Sequence, residues 1–402
     1  MPPAYPGGGR SLNSAALAER GRSFDHRATM ASKQQAGAPA AGVATGARAI
    51  DVDGHVFEPE ELWNEHLPAR FRERRPRIVR DNRGTTRYLI EGRLAPVSEG
   101  RGAWVPEGFV EASCTRPGGT DPKARLADMD AEGIEVAVLY GTMGLGLWSV
   151  QDREFGAALC RAYNDWVHAY CSVAPDRLKG TPALPLHDMP ACLAEAKRSV
   201  KELGMVTLPV PASVMGNNPD QPYLHPLYAL AEELDVPIGF HSGAGGFIND
   251  RFVNSYALAH ACAFSFDAML MFATVVGGGI VERFPRLRVV FLEAGVGWLP
   301  YWLDRLDEHY EKRPREFPHI RKPPSEYLAD GRIFVSCDPD EKELAHAVQR
   351  IGAGHVVYAS DYPHWDAMFP GSVRAIAERD ELGEEEKRAI LRDNARRLLG
   401  RG

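Results

Sequence analysis

Four short stretches of this 402-residue chain carry side chains suited to holding a cation. Asp53-Gly54-His55 sets a carboxylate and an imidazole two residues apart, and on an extended chain both point to one face. His241 follows the apolar run VPIGF and precedes Ser242-Gly243-Ala244-Gly245-Gly246, a backbone able to approach a ligand closely. Glu293 closes the run VVFLE, and Asp361 lies in YASDY. Asp53, His55, His241 and Asp361 offer two nitrogen and two oxygen donors, a set that suits one divalent ion, with Zn expected first and Mn as the alternative. Buried together without a cation, such carboxylates would be strongly destabilising.

Each residue also has an ordinary role. Asp53 could cap the helix that follows it, a buried His is more often a hydrogen-bonded core residue than a ligand, and Glu293 could cap the helix beginning near Trp298. Five such residues at four strand ends are hard to explain separately. Read functionally, Asp361 is both ligand and acid or base, and Glu293 is an acid or base, or orients metal-bound water. His364 would bind a substrate carboxylate or carry a proton, against the alternative of a surface His. Tyr140, Trp148, Trp298 and Trp365 are candidate pocket walls, although aromatic residues near strand ends are also common packing.

The elements that would position these residues form a regular series. From residue 47 onward β-branched runs alternate with longer helical patterns, which means parallel strands with crossover helices. The runs are ARAIDVDGH, IEVAVLY, RLKGTPAL, GMVTLPV, VPIGFHSG, LRVVFLEAG, GRIFVSCD and HVVYASDY, and eight such units make a (β/α)8 TIM barrel. Its active site lies at the C-terminal ends of the strands, where Asp53, His55, His241, Glu293 and Asp361 fall. A β-ribbon inserted after the first strand, within residues 70–116, includes TRYLIEGRLAPV, and the stretch after His241 could form a lid. The chain thus divides into a disordered leader, residues 1–46, and one barrel over 47–402. The fourth run, GMVTLPV, has no Lys to bridge two metals, so one ion is expected.

Composition removes other classes. With 44% hydrophobic and 25% charged residues the chain is ordinary globular protein. A net charge of -7 without basic blocks leaves no footprint for nucleic acid or an anionic membrane. No apolar run approaches the ~20 residues of a membrane span, and no signal-peptide core is visible, so a cytoplasmic location is expected. The six cysteines contain no Cys-x-x-Cys pair and read as small buried hydrophobes in a reducing compartment.

The segments IDVDGHVFEP, VPIGFHSG, GGGIVERFPRLRVVFLEAGVGWLPYWLDRLD, YASDYPHWD and AILRDNARRLLG resemble the amidohydrolase-related family that includes aminocarboxymuconate-semialdehyde decarboxylase. The resemblance implies a metal-dependent barrel, often dimeric, acting on a small organic acid. It implies either non-oxidative decarboxylation of an aromatic or unsaturated acid or hydrolysis of a C–N, C–O or C–C bond. Asp53 and His55 match the family's first-strand metal pair, His241 its fifth-strand ligand and Asp361 its eighth-strand ligand. The decarboxylase named above has His-x-His where this chain has Asp53-x-His55, and related aromatic-acid decarboxylases often put a carboxylate first. A sixth-strand His serving as acid or base is replaced by Glu293. The leading expectation is a metal-dependent carboxy-lyase; the alternatives are a hydrolase using metal-bound water, and a catalytically inactive barrel that serves as a binding protein.

Overall fold

The computed structural model describes residues 48–80, 86–94, 116–242 and 256–400. The expected leader over 1–46, Cys114, the turn over 243–246 and the start of the candidate lid lie outside the described residues.

Eight parallel strands follow the order expected. β1 (Ala49–Val56) leads into a three-stranded antiparallel ribbon of β2 (Arg77–Arg80), β3 (Thr86–Ile90) and β4 (Arg93–Leu94), within the expected insertion. The barrel continues through β5 (Ile134–Gly141), β6 (Leu178–Gly180), β7 (Leu208–Val210), β8 (Ile238–Phe240), β9 (Val289–Phe291), β10 (Ile333–Cys337) and β11 (Val356–Tyr358). Helices separate the strands, and the ladders run β1-β5-β6 and β11-β10-β9-β8-β7. One backbone bond bridges the first break, Val206 N–H to Gly180 O (3.4 Å) between β6 and β7, and two bridge the second, Asp361 N–H to Asp53 O (2.9 Å) and His55 N–H to Tyr362 O (2.7 Å), between β1 and the turn after β11. The barrel closes through them.

Several strands are shorter than their sequence runs, because Pro182, Pro209 and Pro237 withdraw ladder donors and the polar residues beyond each run leave the sheet. Ile50, Val52, Val138, Val290, Leu292, Phe334 and Val357 form one apolar cluster, the filling of the barrel. Strict alternation would turn Asp53 and His55 away from the side that Ile50 and Val52 occupy. A register shift between Asp51 and Gly54 reverses the parity, so that apolar and polar residues of one strand both face inward.

The helix Tyr256–Phe272 belongs to an apolar helical run, Ala257–Arg283, of 27 residues. It is long and apolar enough to cross a membrane, contrary to the expectation that no such run exists. Most of it is buried among barrel elements, and a core helix is apolar all round for that reason. Among the described cysteines, Cys160, Cys171, Cys192 and Cys337 are buried, Cys262 is half-buried, and all five are free thiols.

Candidate active site

The bulge in β1 places Asp53 and His55 side by side, both fully buried, with His55 Nε2 3.5 Å from Asp53 Oδ1. His241, just past β8, brings its Nε2 to 3.3 Å from His55 Nε2 and 3.5 Å from Asp53 Oδ1. Glu293, past β9, sets Oε2 at 3.0 Å from His241 Nε2 and 3.7 Å from His55 Nε2. Asp361, past β11, sets Oδ1 at 3.5 Å from His55 Nε2 and 2.7 Å from His364 Nδ1. All five sequence-predicted residues, and His364 with them, therefore meet at one end of the barrel.

The donors fall into two overlapping groups, Asp53, His55, His241 and Glu293, and His55, Glu293, Asp361 and His364, within each of which the candidate atoms lie within 4.8 Å of one another. Donors held ~2.1 Å from a single ion stand roughly 3 to 4.2 Å apart, so the spacing fits a coordination shell. Neither oxygen of Asp53 has a hydrogen-bond partner among the described residues, although both are buried. The ring of His241 is held by Nδ1, which donates to Ser242 O at 2.7 Å. That fixes the tautomer and turns the Nε2 lone pair toward Asp53 and Glu293. A lone pair facing two carboxylates requires a cation or a proton between them, and a divalent ion meets this need for the whole ring of donors.

Charge crowding shows in the titration of these groups. Burial opposes ionisation of Asp53, but the His241 and His55 imidazoles outweigh it and hold its carboxyl below the usual range. Burial followed by the carboxylates of Glu293, Asp366 and Asp53 pushes Asp361 well above that range. Burial would depress His241, yet Asp53 and Glu293 raise it well above an ordinary imidazole. His364 is driven well below, by burial and then by His55 and His241. Glu293 and Asp361 also share a backbone feature, left-handed φ values of 54° and 52° at residues with side chains. Such conformations cost on the order of 1 kcal/mol or more each and concentrate at sites whose surroundings hold them in place.

The ordinary roles weighed for these residues are filled by others. The helix after β1 has Glu60 at its N-cap, and Asp53 takes no part. The N–H groups of Val296 and Gly297, at the entry to the helix Trp298–Lys312, are bound by Glu341, with Gly297 N–H 2.6 Å from Oε1, and not by Glu293. Tyr140 lies against both imidazoles, its ring 6.1 Å from that of His55 and 5.2 Å from that of His241. Trp298 instead turns to the core against Phe272 and donates to Gly295 O. Trp148 lines a neighbouring cavity of about 790 Å³ together with Arg153, His187 and Asn218. Trp365 packs edge-on against His260.

Sequence reasoning missed the residues that hold the ring from behind. Thr142 Oγ1 lies 3.0 Å from both His364 Nε2 and Val56 O. Its hydroxyl donates to the Val56 carbonyl, so it accepts from His364 Nε2–H, and the other ring nitrogen faces Asp361. Asp51 and Arg125 bind the backbone beneath β1 and β11. Asp51 could have been suspected from its i−2 spacing to Asp53; nothing in the sequence marks Thr142 or Arg125.

With this geometry in hand, comparison with known proteins is informative. A family model described as amidohydrolase matches residues 50–401. A 2-amino-3-carboxymuconate-6-semialdehyde decarboxylase of Dictyostelium discoideum is 26% identical over 285 residues, covering 70% of this chain and 77% of that protein. A gamma-resorcylate decarboxylase of Rhizobium radiobacter is 28% identical over 290 residues, covering 68% and 86%. The fold matches that of a 5-carboxyvanillate decarboxylase from Novosphingobium aromaticivorans, solved with manganese and 4-hydroxy-3-methoxy-5-nitrobenzoic acid, with a TM-score of 0.68 at 23% identity over 90% of this chain and 98% of that one.

Proposed function

The chain belongs to the amidohydrolase family, and from that premise we propose that it is a metal-dependent carboxy-lyase that removes CO2 from a small aromatic or unsaturated carboxylic acid. The observation that carries this reading is the gathering of Asp53, His55, His241, Glu293 and Asp361 at the C-terminal end of the barrel, in two donor groups that share His55 and Glu293. Decarboxylases of related acids from Dictyostelium and Rhizobium support it.

Asp53, His55, His241 and Asp361 would hold the ion together with Glu293, which belongs to both groups of donors. When bound, such an ion supplies a Lewis acid and a template for the substrate oxygens. Three carboxylates against two imidazoles make an oxygen-rich set, which suits Mn better than Zn. A manganese-containing neighbour points the same way, so we place Mn ahead of Zn.

The chain itself supplies the proton. As the bond from ring carbon to carboxyl carbon breaks, its electron pair stays on the ring carbon and must take a proton. His364 gives its Nε2–H to Thr142, so its Nδ1, 2.7 Å from Asp361 Oδ1, shares one proton with that carboxyl. The pair is thus a proton store beside the ion's ligands, with Asp361 the acid and His364 its reserve. The Tyr140 and His55 rings offer flat surfaces against which an unsaturated acid can lie.

The test follows metal content and CO2 together. Purified protein is expected to carry one divalent ion per chain, and to release CO2 from members of a panel of hydroxybenzoates and unsaturated diacids only when metal-loaded. Metal-free protein whose stability is indifferent to chelators and to added Mn would refute the site. Solvent oxygen appearing in a product without CO2 would turn the reading to hydrolysis.

A further inference from the structure

Beneath the ring of candidate ligands lies a buried cation that contacts none of their side chains. Arg125, in the helix Pro122–Glu132, is 2% exposed. Its Nε donates to Gly118 O at 3.1 Å and its Nη1 to Tyr362 O at 3.2 Å, while its Nη2 donates to His55 O. The Tyr362 ring lies under the guanidinium, 4.4 Å from its carbon. Three carbonyls from three separate segments are therefore tied to one planar, always-charged group, a task that its fork of donors suits and a Lys could only partly match.

The counter-charge is Asp51, on the face of β1 opposite the ligands. Its carboxylate accepts from Ser360 Oγ at 2.6 Å, Ser360 N–H at 3.0 Å and Asp53 N–H at 3.2 Å. Ser360 Oγ in turn accepts from Tyr362 N–H at 3.1 Å. The bonds fall on the residues flanking the candidate ligands, with Ser360 and Tyr362 on either side of Asp361 and Asp51 and His55 on either side of Asp53. Close approach is built in as well: a Cβ on Gly54 would stand 2.9 Å from Asp51 Oδ2 and 3.4 Å from Arg125 Nη1. A Cβ on Gly118 would meet Arg125 Cα at 3.1 Å.

Regular strand pairing does not extend across β11 and β1; only Asp361 N–H to Asp53 O and His55 N–H to Tyr362 O join the two segments, and side-chain bonds to the same backbones add to what sets the spacing of His55 from Asp361 and holds Asp361 at its left-handed φ of 52°. We propose that Arg125, with Asp51 as its counter-charge, is a positioning residue for the metal centre, clamping the backbones of β1 and of the turn after β11 so that Asp53, His55 and Asp361 face one ion. This rests on the reading of the ring as a metal site. The clamp touches neither the ion nor the substrate; it acts through the main chain of the ligands.

The test measures the Mn dissociation constant of the full chain by EPR titration, beside thermal melting of the metal-free protein. Asp53→Asn tests the site itself and is expected to abolish tight binding. Arg125→Met is expected to weaken Mn binding by about 10- to 100-fold, the range seen when groups that support metal ligands are removed, and Arg125→Lys to recover part of that loss. A stabilising role alone would lower the melting temperature and leave the dissociation constant, measured well below melting, unchanged. Should Arg125→Met fail to fold, Ser360→Ala decides: it removes the hydroxyl that links Asp51 to Tyr362 N–H, leaving the Ser360 N–H bond to Asp51 and stranding no guanidinium, and weaker Mn binding is expected. Wild-type affinity in the soluble variant overturns the clamp if Asp53→Asn has lost its Mn; if Asp53→Asn still binds like wild type, the metal site itself falls.

Discussion

The barrel's ladder is broken twice, and the two breaks are built from opposite materials. Between β6 and β7 one backbone bond, Val206 N–H to Gly180 O, spans the gap, and its surroundings are apolar: Leu178, Val206, Leu208 and Val210 are all buried. Between β11 and β1 the gap is filled with Asp51, Asp53, His55, Arg125 and Ser360, all buried as well. Dispersion and exclusion of water suffice to close the first. The second carries buried charges and polar groups that would be destabilising unless each were paired or bound to an ion. A barrel can thus close with one backbone bond and apolar packing, and where it closes with charge the arrangement serves chemistry.

That contrast predicts different failures. At the polar break, Asp361→Asn removes a candidate ligand and proton donor while keeping the side chain's shape. Turnover of a decarboxylated substrate is expected to fall on the order of 10^3-fold, within the range for a lost acid, while the melting temperature of the metal-free protein stays near wild type. At the apolar break, Leu208→Ala is expected to lower stability by about 2–5 kcal/mol in a denaturant titration, with kcat of the folded fraction unchanged. If Leu208→Ala altered kcat as Asp361→Asn does, the distinction between the breaks would fail.

The same contrast explains what the sequence makes legible. Asp53, His55, His241, Glu293 and Asp361 can be picked out because each interrupts or follows a β-branched apolar run, and a polar side chain at a strand's C-terminal end has few structural reasons to be there. The eight-unit alternation is legible for a similar reason, since strands buried on both faces read as continuous apolar runs. The bulge in β1 is not legible: period-two reasoning places Asp53 and His55 on one face correctly, yet gives no hint that Ile50 and Val52 share it. Nor is the clamp, for Arg125 and the His55 carbonyl it binds stand 70 residues apart. Trp298 shows the converse, an aromatic residue at a strand end that serves packing against Phe272.

A buried carboxylate that belongs to neither break sharpens the comparison. Asp267, in the helix Tyr256–Phe272, is fully buried; Ser242 Oγ donates to its Oδ2 at 2.9 Å, and its Oδ1 has no partner among the described residues. Burial pushes its carboxyl up to about 6, against the lowering effect of the Ser242 bond. Because the folded value lies above the unfolded value of ~3.9, the native state binds the extra proton. Its contribution to stability is complete below pH ~4 and is lost as pH rises through about 6. Asp267→Asn is expected to flatten the stability profile across that window, a difference of about 3 kcal/mol at neutral pH, measured by denaturant titrations at several pH values. A slope unchanged in the variant would place the proton elsewhere.

The smallest effect expected concerns Thr142, which reaches the ligand ring through His364 and the end of β1 through Val56 O. Thr142→Val keeps the shape but removes the acceptor for His364 Nε2–H, and with it the constraint that turns Nδ1 toward Asp361. One hydrogen bond contributes about 1 kcal/mol, so kcat/KM is expected to fall roughly tenfold or less, with little change in melting temperature. Thr142→Ser, which retains the hydroxyl, is expected to restore most of the rate. A loss that Ser does not recover would mean that the methyl group's packing, and not the hydroxyl, holds His364 in place. A full-rate Thr142→Val would show that His364 finds its orientation from Asp361 alone, and that the polar break needs less support on this side than the bonds around Asp51 and Arg125 give it on the other.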